Sequence, residues 1–290
     1  SYENIIHIPT ESLFTKNEYE DLVRRYTPLE LSCALRATCH RYIFEKTSIQ
    51  QWLMIDTDIV IMGSLDEIFN EFMNYQIFLT SHNSNPSNEI DIIRNSELNF
   101  LKYGLYNGGV LGFKRGESSH KAILWLENRL LNFSENSGRR LLDNIKNKYD
   151  FLFLDQLWLN LLPIYFKNCK ISFDQRFNLG HWNLWEIFLT VDQEVNYFCD
   201  DKPLIAFHFS GLPIKNLTQV SIHNKIYLRK PNKIWAEAAR NYLLNLKKIK
   251  NKLIKEFYFY RKYMPRKSIE MYLYKYFKRL IKLIFINLNS

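Results

Sequence analysis

Two carboxylates sit at the centre of residues 51–67, which read Gln-Trp-Leu-Met-Ile-Asp-Thr-Asp-Ile-Val-Ile-Met-Gly-Ser-Leu-Asp-Glu. The apolar run at 52–55 has the length of a strand buried on both faces, and it ends in Asp56-Thr57-Asp58. In an extended chain, residues two apart point to the same side, so Asp56 and Asp58 are placed to hold one hard cation. After residues 59–62 comes Ser64-Leu65-Asp66-Glu67, with the spacing of a capping box that opens a helix. Acidic residues at the carboxyl end of a buried strand stand where open α/β sheets bind ligands.

Other residues suited to chemistry are scattered along the chain. Arg36 lies at the edge of the apolar stripe of a helix. Asn107-Gly108-Gly109 enters a strand, where paired glycines let backbone approach a ligand closely. Asp155-Gln156 follows the apolar run Phe151-Leu152-Phe153-Leu154. Residues 177–186 gather Asn178, His181, Trp182, Asn183 and Trp185, a composition suited to a polyhydroxylated ring. On that reading Asn178, Trp182 and Asn183 face a sugar acceptor. His208 rides on a last buried strand at 204–209, followed by Ser210, Gly211 and Lys215. Each has a plainer reading: a solvated helical Arg, an Asn-Gly turn, a helix cap at Asp155, a hydrogen-bonded core histidine. Residue types alone leave both readings open at each position.

The elements that must position these groups follow from pattern. The chain has 290 residues, 47% hydrophobic and 16% aromatic, enough for one large α/β domain with an appendage and far from a disordered composition. Strands are predicted at 4–8, 76–81, 106–113, 170–173 and 204–209. Helices are predicted at 18–24, with Asn17 as cap, and at 117–131 and 138–148. Thr27-Pro28-Leu29-Glu30 opens a further helix that runs to about Glu45, with Leu31, Leu35, Thr38 and Tyr42 inward. Residues 82–99 read as a long polar loop, and loops of that length are often lids or binding loops. Cys33, Cys39, Cys169 and Cys199 show no metal-ligand spacing and read as reduced thiols of a cytosolic protein. Neither a secretory signal nor an apolar run of membrane-spanning length is evident.

With Asp56/Asp58, Asn107-Gly108-Gly109, Asp155-Gln156 and His208-Phe209-Ser210-Gly211 in this order, the chain resembles the family 8 glycosyltransferases. It looks closest to a bacterial branch whose further motifs here read Asp155-Gln156-Leu157-Trp158 and Trp182-Asn183-Leu184. The resemblance spans roughly residues 5–211. It implies a GT-A fold, Rossmann-like, with a mostly parallel mixed sheet flanked by helices, and a reaction that retains anomeric configuration. It implies that Asp56, Asp58 and His208 hold Mn²⁺ or Mg²⁺ against the diphosphate of a nucleotide sugar. Gly211 and Lys215 would contact that diphosphate, while Arg36, Asn107, Gly108 and Asp155 grip the donor. Asp155 and Gln156 are the implied catalytic pair, Gln156 near the anomeric carbon. Two departures stand out: Lys215 lies seven residues after His208 where the family often has six, and the family's opening strand–helix–strand, which binds the nucleobase, has no counterpart before Ile5. The chain therefore reads as N-terminally incomplete.

The chemistry can be derived independently of the family. Breaking a sugar–diphosphate bond requires neutralising charge on the departing phosphate, which a divalent ion with oxygen ligands supplies. Mixed carboxylate and imidazole ligation favours Mn²⁺. Without an evident protein base, a front-face path fits, in which the leaving phosphate takes the acceptor proton. A haloacid dehalogenase-like phosphatase is the first rival, since Asp56-Thr57-Asp58-Ile59-Val60 suits its nucleophile motif. It also needs a late acidic pair after Gly; Asp200-Asp201 lacks the Gly and is followed by Pro203.

The net charge of +9 is concentrated near the C-terminus, where residues 247–290 carry thirteen Lys and Arg against Glu256 and Glu270. The expected division is a transferase domain at 1–228 and a basic, amphipathic helical tail at 229–290. Helices at 243–263 and 268–286, with aromatic and basic residues, suit an anionic membrane surface. The second rival is therefore a non-catalytic membrane-binding module. Nucleic acid is not an expected partner, because no recognition motif accompanies the charge. The expected location is cytoplasmic, peripheral on the inner face of the membrane, with a glycan or lipid-linked acceptor.

Overall fold

The apolar run before the two carboxylates is a strand, Gln51–Ile55 (β1), in a computed structural model that describes residue 6 and residues 8–134, 152–213, 220–223 and 232–261, with side chains as far as Lys248. It joins Ile77–Ser81 (β3), Tyr106–Lys114 (β4) and Cys169–Ser172 (β5) in one sheet of order β1-β4-β3-β5. β4 is antiparallel to both β1 and β3, and β5 is parallel to β3. Three strands therefore run one way with a single reversed strand among them, so the carboxyl ends of β1, β3 and β5 share one edge. All five residues of β3 are buried, whereas in β1 only Trp52 is. The expected two-sided burial of β1 fails because it is an edge strand of this sheet.

Side chains alternate across the sheet as strand geometry requires. Ile77, Leu79, Leu111 and Phe113 face one layer with Trp52, and there they meet Ala122, Ile123, Leu126 and Leu130 of the helix Glu117–Phe133 (α7). Phe78 and Val110 face the other way, onto Ile68, Phe72, Phe177 and Ile205. The fold is thus α/β, with a mixed sheet flanked by helices.

Two smaller sheets flank this one. Ile59–Ile61 (β2) pairs antiparallel with Ala206–His208 (β9), and Leu189–Val191 (β6), Tyr197–Cys199 (β7) and Lys202–Pro203 (β8) form a second. Against them packs the start of a long helix, Lys233–Arg261, whose Trp235, Ala238 and Ala239 are buried with Phe207 and Phe209. The first turns of that helix, which lie after the expected boundary at 228/229, complete this core. The strand expected at 4–8 and the helices expected at 138–148 and 268–286 fall wholly or largely outside the described residues.

Several local expectations change for identifiable reasons. The first helix, Lys16–Arg25 (α1), is capped by Thr15 rather than Asn17, through a reciprocal box in which Thr15 N donates to Glu18 Oε2 at 2.8 Å. The helix opened by Thr27 is capped as predicted but breaks at Leu35 into Pro28–Ala34 (α2) and Arg36–Lys46 (α3). The box at Ser64 does not close. Glu67 is drawn instead to Arg176 at 2.8 Å, and Asp66–Glu71 (α4) starts after a turn in which Asp66 N donates to Ser64 Oγ. The segment read as a long loop holds two short helices, Ile90–Asn95 (α5) and Glu97–Tyr103 (α6), each burying one apolar side chain, Ile92 and Phe100.

Candidate active site

Asp56 and Asp58 do not lie along one extended strand. Asp56 N donates to Gly109 O at 2.9 Å, continuing the β1–β4 ladder by one rung. The chain then turns, with Ile59 N donating to Asp56 O at 3.1 Å. Asp58 O accepts from Phe209 N at 2.9 Å, and Ile59 pairs with His208 across the β2–β9 ribbon. The first carboxylate thus ends the main sheet and the second begins the ribbon. The turn between them, not strand alternation, brings the two side chains together. His208 arrives from the opposite strand of that ribbon, and its Nε2 lies 3.2 Å from Asp58 Oδ1. One ligand atom from each of Asp56, Asp58 and His208 lies within 4.8 Å of the others, the only such group of metal-binding type among the described residues.

Arg36, the first residue of α3, clasps this group from the side. Its Nη2 is paired with Asp56 Oδ1, while Nη1 donates to Asp155 Oδ2 at 2.8 Å and to Gly108 O at 2.7 Å. Burial alone would disfavour the charged guanidinium, yet Asp155 and Asp56 together raise its pKa well above the usual value. Asp155 occupies the cap position of the short helix Gln156–Leu159 (α8), but its carboxylate is spent on Arg36 and not on the helix. The solvated-Arg and helix-cap readings are both set aside by this one pair. Cys33, a free thiol with the other three cysteines, lies against Asp155, and burial pushes its pKa up.

The Asn-Gly-Gly segment lies within β4 and is not a turn. A Cβ at Gly108 would sit 3.0 Å from both Arg36 Nη1 and Asp155 Oδ2, and one at Gly109 would sit 2.4 Å from His208 Cε1. The absent side chains make room for the clasp and for the imidazole respectively. Asn107 itself is buried, with Oδ1 accepting from Gly109 N at 2.8 Å. Gly211 follows β9 with φ +64, a conformation that favours glycine, and lies beside Ser221 and His223. Lys215 lies outside the described residues.

Three residues expected on the acceptor side are buried. Asn183 is fully enclosed; its amide accepts from Gly180 N at 2.8 Å and donates to Asn178 O at 3.1 Å and to Gln175. Asn178 donates to Thr80 Oγ1 and Asn107 Oδ1, both at 3.0 Å. Trp182 stands edge-on between His208 and His82, with ring centroids 5.0 and 5.5 Å away. All three side chains pack in the interior behind the site. Gln156 Nε2 donates to Tyr103 O at 2.9 Å, which ties this expected catalytic residue to the end of α6.

Sequence reasoning passed over Thr80 and His82. Both stand at the carboxyl end of β3, on the sheet edge where β1 delivers Asp56, so the strand-end rule was available to find them. His82 stacks on Phe100, and burial lowers its pKa to about 4. Asp58 would be raised by burial, but its hydrogen bond and charge interaction with His208 bring it below the ordinary carboxylate value. The Asp200-Asp201 pair that a phosphatase would need forms a left-handed turn between β7 and β8, where Asp200 Oδ1 accepts from Phe188 N at 2.8 Å. No helix among the described residues is long and apolar enough to cross a membrane.

No protein-family model matches the chain. It is 22% identical to the uncharacterized protein YfnD of Bacillus subtilis (strain 168) over 232 residues, covering 74% of this chain and 66% of YfnD. It is 27% identical to the uncharacterized protein YfnF of the same organism over 118 residues, 40% of this chain and 35% of YfnF. The chain thus spans just under two thirds of one relative and about a third of the other. Among solved structures it is similar to the galactosyltransferase LgtC, in complex with donor and acceptor sugar analogs, at 14% identity and a TM-score of 0.40, covering 80% of this chain and 73% of that one.

Proposed function

We propose that the chain is a metal-dependent, retaining glycosyltransferase of family 8 type and GT-A fold. It would move a hexose from a nucleotide sugar, a UDP-sugar first among candidates, to a glycan or lipid-linked acceptor of a surface polysaccharide. The observation that carries this reading is the meeting of Asp56, Asp58 and His208 beside the Arg36–Asp155 clasp. Two hard carboxylates and one imidazole fit Mn²⁺ better than Mg²⁺. His208 Nε2 and Asp58 Oδ1, 3.2 Å apart, are near enough to hold one ion together.

When bound, the ion supplies Lewis-acid neutralisation of the diphosphate leaving group. The chain's own groups do the rest. Arg36 and Asp155 hold the donor sugar at the rim of the ion site, with the Gly108 carbonyl fixing the guanidinium plane. Gln156, anchored through Nε2, offers its carbonyl oxygen to the electron-poor anomeric carbon. In the transfer step the bond from that carbon to the phosphate oxygen breaks. The acceptor hydroxyl bonds to the carbon on the same face, and its proton passes to the departing phosphate oxygen. Configuration is retained and no protein base is required. Lys247, Lys248 and the basic residues after them support attachment to an anionic membrane surface on the cytoplasmic side.

The test is release of nucleoside diphosphate from a panel of UDP- and GDP-hexoses by the intact protein. The expected result is Mn²⁺-dependent turnover of at least one donor, abolished in Asp58→Ala, with retained configuration in any transfer product. Turnover indifferent to Mn²⁺ and to Asp58→Ala, or an inverted product, contradicts the reading.

A further inference from the structure

Asn178 was expected to face an acceptor sugar; the hydrogen bonds around it give it another task. We infer that Asn178 is a positioning residue that holds the His208 imidazole in the Nδ1–H tautomer, so that the Nε2 lone pair is the one aimed at the ion site. The tautomer follows from bond directions alone, while its use in ion binding rests on the reading proposed above.

The backbone N–H of Gly109 can only donate. It donates to one end of the Asn107 amide at 2.8 Å, which makes that end the oxygen. The Asn178 atom 3.0 Å from the same oxygen must then be its NH₂, and this NH₂ also lies 3.0 Å from Thr80 Oγ1. The carbonyl oxygen of Asn178 is therefore at the other end, 3.0 Å from His208 Nδ1, and only a ring N–H can satisfy it there. A neutral imidazole carries one N–H, so in that form Nε2 keeps its lone pair, 3.2 Å from Asp58 Oδ1; the hydrogen bond that lowers the Asp58 pKa belongs to the doubly protonated ring. Lone pair facing carboxylate is repulsive unless something positive lies between them, which is what an ion site requires of its donors before it fills.

Burial removes the alternatives. Thr80, Asn107, Asn178 and His208 are all buried, so bulk water is not at hand to substitute for a mismatched partner. The far end of the Asn107 amide, its NH₂, meets His82 Nε2 at 3.3 Å, which is consistent only with that nitrogen accepting. Trp182, perpendicular to the His208 ring, blocks it from turning over. An aspartate at 178 would keep an acceptor for His208 but lose both donations, to Asn107 and to Thr80. Leucine, of similar volume, would remove the acceptor as well.

The test is the tautomer of His208 in the intact protein without added metal, read from ring ¹⁵N shifts of ¹⁵N-histidine-labelled protein above the titration range of imidazole. The His208 signals are assigned by their loss in His208→Gln. The expected result is a wild-type Nδ1–H tautomer that shifts toward Nε2–H in Asn178→Leu and is kept in Asn178→Asp. In parallel, Mn²⁺ affinity is expected to fall about tenfold or more in Asn178→Leu. A wild-type Nε2–H tautomer overturns the inference, as does an Asn178→Leu protein with unchanged tautomer and affinity. Should Asn178→Leu not fold, the wild-type spectrum alone decides. Failure of the wild type to bind Mn²⁺ beside an Nδ1–H spectrum would count against the transferase reading and leave the tautomer assignment standing.

Discussion

Replacing Arg36 by methionine removes a charge but keeps most of the side-chain volume. Asp56 and Asp155 then face one another across the site, with Asp58 close by and no cation among them. The side chains of Arg36 and Asp155 are only 19% and 9% exposed, so that pair is effectively desolvated; Asp56, at 27%, is partly screened. Removing one partner of a buried pair costs about 3–5 kcal/mol, because the remaining charge is left uncompensated. Solvent at Asp56 favours the lower end, about 3 kcal/mol. For a chain of 290 residues the unfolding entropy is about 0.6 kcal/mol/K, so this amounts to about 5 °C in Tm. The assay is urea unfolding of Arg36→Met and wild type, each with and without Mn²⁺. Without metal the variant is expected to lose about 3 kcal/mol, and Mn²⁺ is expected to restore a larger part of stability to the variant than it adds to the wild type, because the ion takes over Asp56. Adding Asp155→Asn to the variant should recover part of the loss. A loss below about 1 kcal/mol, the scale of an exposed pair, would refute the claim that the clasp is a buried charge network.

Gly109→Ala, whose Cβ would fall 2.4 Å from His208 Cε1, is expected to weaken Mn²⁺ binding while the protein still folds, as titration and circular dichroism would show; unchanged affinity would mean the imidazole is not confined there. His40 is fully buried, and burial first, then the Arg36 charge, lowers its pKa to about 3. Between its unfolded value and that one the unfolded chain binds the extra proton, so stability falls as pH drops from about 6.5 toward 3, by about 1.4 kcal/mol per pH unit. His40→Asn, which keeps an acceptor for Trp52 Nε1, should flatten the fall in Tm over that window by one proton's worth; an unchanged slope would mean that His40 protonates equally in both states. Truncation after Leu246 keeps Trp235, Ala238 and Ala239 in the core and removes the basic run, so it should abolish pelleting with anionic liposomes without loss of fold; undiminished pelleting would end the membrane proposal.

Much of the scaffold is legible in the sequence because its signals are local. The apolar stripe of 117–133, the Thr27-Pro28-Leu29-Glu30 start and the strand runs at β1, β3, β4 and β5 each carry their own period or cap. What the sequence leaves undetermined depends on distant partners. Whether Asp155 caps a helix or pairs with a cation depends on Arg36, 119 positions away. Glu67 leaves its capping box because Arg176 is near in space and not in sequence. α5 and α6 bury too few apolar side chains for a helical period to register. The carboxylates and the histidine were identifiable by residue type and order, but the turn that joins two sheets at Asp56 and Asp58 was not, since spacing alone fits an extended strand equally well. Asn178 and Asn183 show the limit of composition: an amide that could bind a sugar hydroxyl binds a histidine or a backbone carbonyl with the same atoms.

The proposed ion site is made by three side chains from three strand ends. Its most direct test is Mn²⁺ titration of the intact protein, followed by electron paramagnetic resonance, beside Asp56→Asn, Asp58→Asn and His208→Ala. A single saturable site in the wild type, weakened by every one of the three substitutions and showing nitrogen coupling that His208→Ala removes, is the predicted result. A wild type that binds no Mn²⁺, or one whose binding survives the loss of His208 unchanged, would contradict it.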